Sequence, residues 1–298
     1  MQSSGVQQAR VGDLEIAYET FGEPDDTPVL LVMGLATQMV GWPDDFCRGL
    51  AERGLFVVRF DNRDTGLSTH LDDAGAPDIM TVLGGDHSSV PYGLADLADD
   101  TVGLLDALGL GSAHVVGASM GGMIAQLVAL RHPARVRSLT SIMSTTGDPA
   151  VGAPAEAAMA VLLAPPASDR EGAVQRAVDT YRVIGSPGFE FDETGLRERA
   201  GLSFDRAYDP AGVARQLAAI LTTADRTPDL ARITAPTLVI HGAHDALMNV
   251  SGGRATAAAI PDAELLVVDG MGHDLPREVW PELLDRITAL IGRAEGAV

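Results

Sequence analysis

Six short apolar runs set the strongest limit on how this chain folds: Val29 to Met33, Leu55 to Phe60, Ala113 to Gly117, Val136 to Met143, Thr237 to His241 and Glu264 to Val268. Each is bounded by turn residues, and runs of this length read as strands buried on both faces. Helical patterns lie between them, among them Leu94 to Leu108 and Met120 to Leu130. Strands that alternate with helices need crossover connections, so the sheet is expected to be mostly parallel and flanked by helices on both sides, an α/β architecture.

The alternation fails between about Asp148 and Arg232. Ala-rich and charged helical stretches there are broken by Pro165-Pro166, Ser186-Pro187 and Asp209-Pro210, and the strand rhythm returns at Thr237. We expect a helical cap over residues 148–232, inserted into a sheet domain whose two parts are 1–147 and 233–298.

The segment Val115-Val116-Gly117-Ala118-Ser119-Met120-Gly121-Gly122 runs from an apolar strand through G-x-S-x-G into a helix. The pattern alone is weak evidence, and its placement between strand and helix makes it informative. A serine on such a strained turn points its hydroxyl out of the sheet, while glycines allow helix and strand to approach closely.

A serine hydroxyl needs a base, and the base needs a partner that fixes its tautomer. Of the seven histidines, His273 follows an apolar strand in the glycine-rich stretch Asp269-Gly270-Met271-Gly272-His273, near the end of the chain. His241 and His244 flank the end of the preceding strand, and His132 lies at a helix end; these three read as structural. Asp245 follows the strand ending near His241 and completes the chain order Ser, Asp, His. Asp148, beyond the strand that ends at Met143, is the rival for the acid.

An oxyanion on the ester carbonyl needs two N–H donors. Leu31-Val32-Met33-Gly34-Leu35-Ala36 ends a strand and opens a loop, which makes Leu35 and Met120 the candidate donors.

Together these segments resemble the α/β-hydrolase superfamily over nearly the whole chain, most weakly in the cap. Phe60-Asp61-Asn62-Arg63-Asp64-Thr65-Gly66-Leu67-Ser68 is similar to the D-x-R-x-x-G-x-S turn of that superfamily, where Asp61 and Arg63 are expected to brace a loop. More narrowly, Met33-Gly34, Gly41-Trp42-Pro43-Asp44-Asp45-Phe46 and Arg63-Asp64-Thr65-Gly66 resemble the aclacinomycin methylesterase subfamily, which acts on anthracycline methyl esters. The resemblance implies Ser119 as nucleophile, His273 as general base and acid, Asp245 as its partner, Leu35 and Met120 as oxyanion donors, and no metal or cofactor. It implies a serine esterase. The same triad also serves carbon–carbon bond hydrolysis, lactone opening and cofactor-free perhydrolysis, and a pocket retained only for binding is a further alternative.

Composition narrows the partners. The chain has no lysine and a formal net charge of -20, so phosphate backbones and anionic lipid surfaces are repelled. Neither nucleic acid nor membrane is an expected partner; a small, fairly hydrophobic ester is. Cys47 is the single cysteine, which rules out an intrachain disulfide and permits a reducing compartment. With a polar start and no apolar run near the roughly 20 residues of a membrane span, we expect a cytoplasmic protein. The sequence sets no oligomeric state and is compatible with a monomer.

Overall fold

The computed structural model describes residues 3–296. The chain opens with a hairpin, β1 (Gln7–Val11) and β2 (Leu14–Phe21), followed by β3 (Thr27–Val32), α1 (Asp44–Ala51), β4 (Leu55–Phe60), α2 (Ile79–Leu83), α3 (Leu94–Ala107), β5 (Ala113–Ala118), α4 (Met120–Arg131) and β6 (Val136–Ile142). Five helices come next: α5 (Glu156–Leu162), α6 (Arg170–Ile184), α7 (Glu193–Arg206), α8 (Pro210–Leu221) and α9 (Thr227–Leu230). The chain ends with β7 (Thr237–Gly242), α10 (Ser251–Ala259), β8 (Glu264–Val268) and α11 (Trp280–Ala294).

The strands form one eight-stranded sheet in the order β1-β2-β4-β3-β5-β6-β7-β8. All neighbours from β4 to β8 are parallel, whereas β2 is antiparallel to both β1 and β4. All six expected strands are present. The hairpin β1–β2 is additional: Glu15, Glu19 and Thr20 interrupt the apolar run of β2, so a search for continuous apolar stretches passes over it. Glu19 is nevertheless buried, because Arg59 of β4 meets its carboxylate.

Side chains alternate between two cores, as strand geometry requires. Along β3, Leu30 and Val32 join the layer built with Leu97, Ile124 and Val128 of α3 and α4. Val29 and Leu31 join the opposite layer, with Phe46, Leu50, Leu283 and Ile287 of α1 and α11. In α11 the buried positions Trp280, Leu283, Leu284, Ile287, Leu290 and Ile291 follow the helical repeat and make one apolar stripe. Truncating Ile287 to alanine would cost about 2–5 kcal/mol.

In an open parallel sheet, ligands collect beyond the carboxyl ends of the strands. Here the loops leaving β3, β4, β5, β7 and β8 carry Leu35, Asp61, Ser119, Asp245 and His273. Among the described residues, no helix is long and apolar enough to cross a membrane.

Candidate active site

Ser119 is the joint between β5 and α4, with φ 56° and ψ -120°. A non-glycine residue there costs about 1–3 kcal/mol, which the surrounding contacts must offset. The Ser119 N–H donates to Ile142 O at 2.9 Å, and its carbonyl accepts from Gly122 N–H and from Ser144 Oγ, each at 2.9 Å. The flanking glycines are obligatory. A Cβ at 117 would stand 2.1 Å from Gly121 O, and one at 121 would stand 2.1 Å from Val32 O.

Three loops separated widely in sequence meet at this hydroxyl. His273 Nε2 lies 2.9 Å from Ser119 Oγ, and His273 Nδ1 lies 2.7 Å from Asp245 Oδ2. An ionised carboxylate can only accept, so Nδ1 carries the proton and Nε2 is left to accept from the serine. The other Asp245 oxygen accepts the N–H groups of Leu247 at 2.9 Å and Met248 at 2.7 Å, which hold the carboxylate's orientation. Asp148, the rival acid, instead accepts the N–H of Ala150 in its own turn.

The remaining histidines of interest have other partners. His241 Nε2 donates to Met248 O at 2.7 Å and lies 3.5 Å from Asp245 Oδ2; burial holds its pKa below the ordinary value. His244 Nδ1 accepts from Gly270 N–H at 3.2 Å, and His132 pairs with Asp99 at 2.8 Å.

Leu35 and Met120 line the same cavity as Ser119 and His273. Gly34 is so close that a Cβ on it would stand 3.0 Å from Ser119 Cβ, which brings the turn after β3 against the serine. Met120 opens α4, where N–H groups have no intrahelical acceptor. Ala36, at φ 59°, donates its N–H to Gln216 Oε1 at 3.1 Å. Fully buried Gln216, on α8, also donates to Arg63 O at 2.8 Å and Thr65 Oγ1 at 2.6 Å, so one amide ties the turn after β3 to the loop after β4.

That second loop is braced as expected, and more heavily. Asp61 accepts from Met39 N–H at 2.6 Å and Leu67 N–H at 2.9 Å, while burial raises its pKa against the pull of Arg206. Arg63 pairs with Asp100 of α3 through two 2.6 Å contacts. Asp64 meets Arg215 of α8 through contacts of 2.9 and 2.7 Å, with neither side chain exposed. Among the described residues, Asp64, His70 and Asp209 are close enough to hold a metal ion, yet Arg215 already pairs with both carboxylates. His70 sits between Asp209 Oδ2 at 2.7 Å and Gly66 O at 3.0 Å; these acceptors outweigh burial and raise its pKa.

The serine and the imidazole open onto a cavity of about 1250 Å³, whose wall includes Met33, Met123, Leu162, Val213, Leu217 and Met248. Gln216 and Arg215 were not singled out in sequence. Their signal was present as two adjacent long polar residues inside the otherwise apolar Val213-Ala214-Arg215-Gln216-Leu217-Ala218-Ala219.

Comparison with known proteins identifies the family and the fold. The family model described as alpha/beta hydrolase fold matches residues 27–182. A rhodomycin D methylesterase from Streptomyces sp. (strain C5) is 34% identical, over 91% of this chain and 93% of its own. One from Streptomyces peucetius is 32% identical over the same shares. The crystal structure of an enol-lactonase from Burkholderia xenovorans LB400 superposes with a TM-score of 0.74 at 24% identity, covering 96% of this chain and 99% of that one, a likeness of fold. The chain belongs to the α/β-hydrolase family. The two Streptomyces relatives are named as methylesterases, which are ester-cleaving hydrolases.

Proposed function

We propose that this enzyme hydrolyses a methyl ester carried on a bulky, largely apolar small molecule, with Ser119 as nucleophile, His273 as general base and acid, and Asp245 as the partner of His273. The observation that carries this reading is the hydrogen-bonded chain from Ser119 Oγ through His273 to Asp245, opening onto a roomy, largely apolar cavity. The methyl ester is inferred from the two relatives named as methylesterases.

In the proposed reaction Ser119 Oγ attacks the ester carbonyl as His273 Nε2 takes its proton. The carbonyl oxygen becomes an oxyanion facing the N–H groups of Leu35 and Met120, an arrangement of fixed dipoles worth several kcal/mol in barrier height. The intermediate collapses, methanol leaves with the proton from His273, and the acyl group remains on Ser119. Water then attacks that ester with His273 again as base, releasing the acid and restoring the serine.

We assign residues 148–232 to a cap over residues 1–147 and 233–298; its support is that α5 to α8 fall between β6 and β7 and contribute to the cavity wall. The enzyme works in the cytoplasm on a small molecule, away from nucleic acid and membrane surfaces; its acidic balance and single buried thiol support this.

The test is labelling with a fluorophosphonate, mapping of the adduct, and a screen of methyl, aryl and lactone esters. An adduct on Ser119 and turnover of bulky methyl esters are expected. A lactone-only profile would overturn the substrate assignment, and an unlabelled Ser119 would overturn the mechanism.

A further inference from the structure

His273 is carried on the loop after β8, and that loop is gripped from two directions. From the loop after β7, His244 N–H donates to Met271 O at 2.9 Å, and His244 Nδ1 accepts from Gly270 N–H. From the other side comes the turn that follows α6, in the segment between β6 and β7. His273 N–H donates to Ile184 O at 2.7 Å, and Gly188 N–H donates to Gly270 O at 2.9 Å. Gly272 N–H donates to Ser186 Oγ at 2.8 Å, and the Ser186 hydroxyl in turn donates to Asp274 Oδ1.

The two backbones touch along this contact. A Cβ on Gly272 would stand 2.2 Å from Gly185 O, and one on Gly188 would stand 2.5 Å from Gly270 Cα. Ser186 brings a side chain into this contact, and its hydroxyl bonds the residue on each side of His273. A hydroxyl can accept and donate at once, which lets a single oxygen hold the backbone before the imidazole and the carboxylate after it.

We propose that Ser186 is a positioning residue for hydrolysis: its two hydrogen bonds fix the setting of the His273 loop so that Nε2 stays in reach of Ser119 Oγ. This rests on the catalytic reading given above. Burial raises the pKa of Asp274, and the Ser186 hydroxyl is a hydrogen-bond donor to its carboxyl. Without that hydroxyl, Asp274 loses this donor and Gly272 N–H loses its acceptor. Proton transfer between atoms 2.9 Å apart is sensitive to small displacements, so a loosened loop lowers the chemical step more than substrate binding.

The experiment compares the full-length protein with Ser186→Ala, Ser186→Thr and Ser186→Cys. Three quantities are read: turnover of a nitrophenyl ester per titrated site, the rate of Ser119 labelling by a fluorophosphonate, and the thermal midpoint. Ser186→Ala is expected to lower kcat and labelling rate together by about tenfold with KM within about twofold. Ser186→Thr, which keeps the hydroxyl, restores both to within about threefold of wild type. Ser186→Cys keeps the volume, forms poor hydrogen bonds and follows the alanine variant, which decides the matter where Ser186→Ala does not fold. A purely structural role predicts a lower thermal midpoint with unchanged turnover per titrated site, and that result overturns the proposal. So does a loss confined to KM, or a threonine variant as slow as alanine. Failure of the catalytic reading is separate and visible in the wild type, which then would not label at Ser119.

Discussion

Asp245 meets His273 at Nδ1, 2.7 Å away, while its second oxygen is held by two backbone N–H groups of the following turn. The pair therefore admits one tautomer. Asp245→Asn would present an amide N–H to Nδ1, moving the ring proton to Nε2, where it faces Ser119. We expect kcat to fall about a thousandfold to ten-thousandfold with little change in the thermal midpoint. Steady-state kinetics beside a thermal melt checks this; retention of about a tenth of the activity or more would contradict the assigned roles.

Gly117→Ala should fail for a geometric reason. The added carbon would stand 2.1 Å from the carbonyl of Gly121, a backbone atom that cannot retreat without moving α4. A loss of about 3 kcal/mol or more in urea unfolding is expected, with activity abolished. An active, stable variant would contradict the strand-to-helix geometry.

Arg215 and Asp64 form a pair with no exposure on either side chain. Replacing Arg215 with Met leaves Asp64 buried without its cation, which costs about 3–5 kcal/mol. The same denaturant measurement reads it, and a loss under about 1 kcal/mol would mean that the loop after β4 does not depend on α8.

His241 gives stability a pH slope. Burial lowers its folded pKa below the unfolded value, so the unfolded chain binds the proton more readily. Stability is unaffected well above the unfolded value near pH 6.5, and declines as pH falls from there toward the lowered folded value. His241→Gln should flatten that part of the stability curve. An identical slope in the variant would show that other groups cause it.

The sheet was legible because doubly buried strands are continuous apolar runs, and Val29 to Met33 or Thr237 to His241 cannot easily be anything else in a chain with this alternation. The hairpin is not marked by a continuous apolar run because polar residues enter its pattern, and Glu19 of β2 is buried where it meets Arg59, a partner far away in sequence. Ser119, Asp245 and His273 could be picked out because each follows an apolar run and their order is distinctive. Ser186 could not, because its work depends on a contact with a residue 86 positions away. Gln216 shows in the sequence only as a long polar residue in an apolar helical stretch; its partner Ala36, 180 positions away, is set by how α8 docks.

The turn after β3 is tethered through Gln216 and the loop after β8 through Ser186, so the stretch between β6 and β7 holds both halves of the proposed reacting centre. A chimera that borrows this stretch from a relative would import a new pocket together with new fastenings. Unless the graft supplies an amide in place of 216 and a hydroxyl in place of 186, altered selectivity and a disabled centre would arrive as one change. A protease cut in the same stretch would likewise register at the serine, even though no peptide bond near it had been touched.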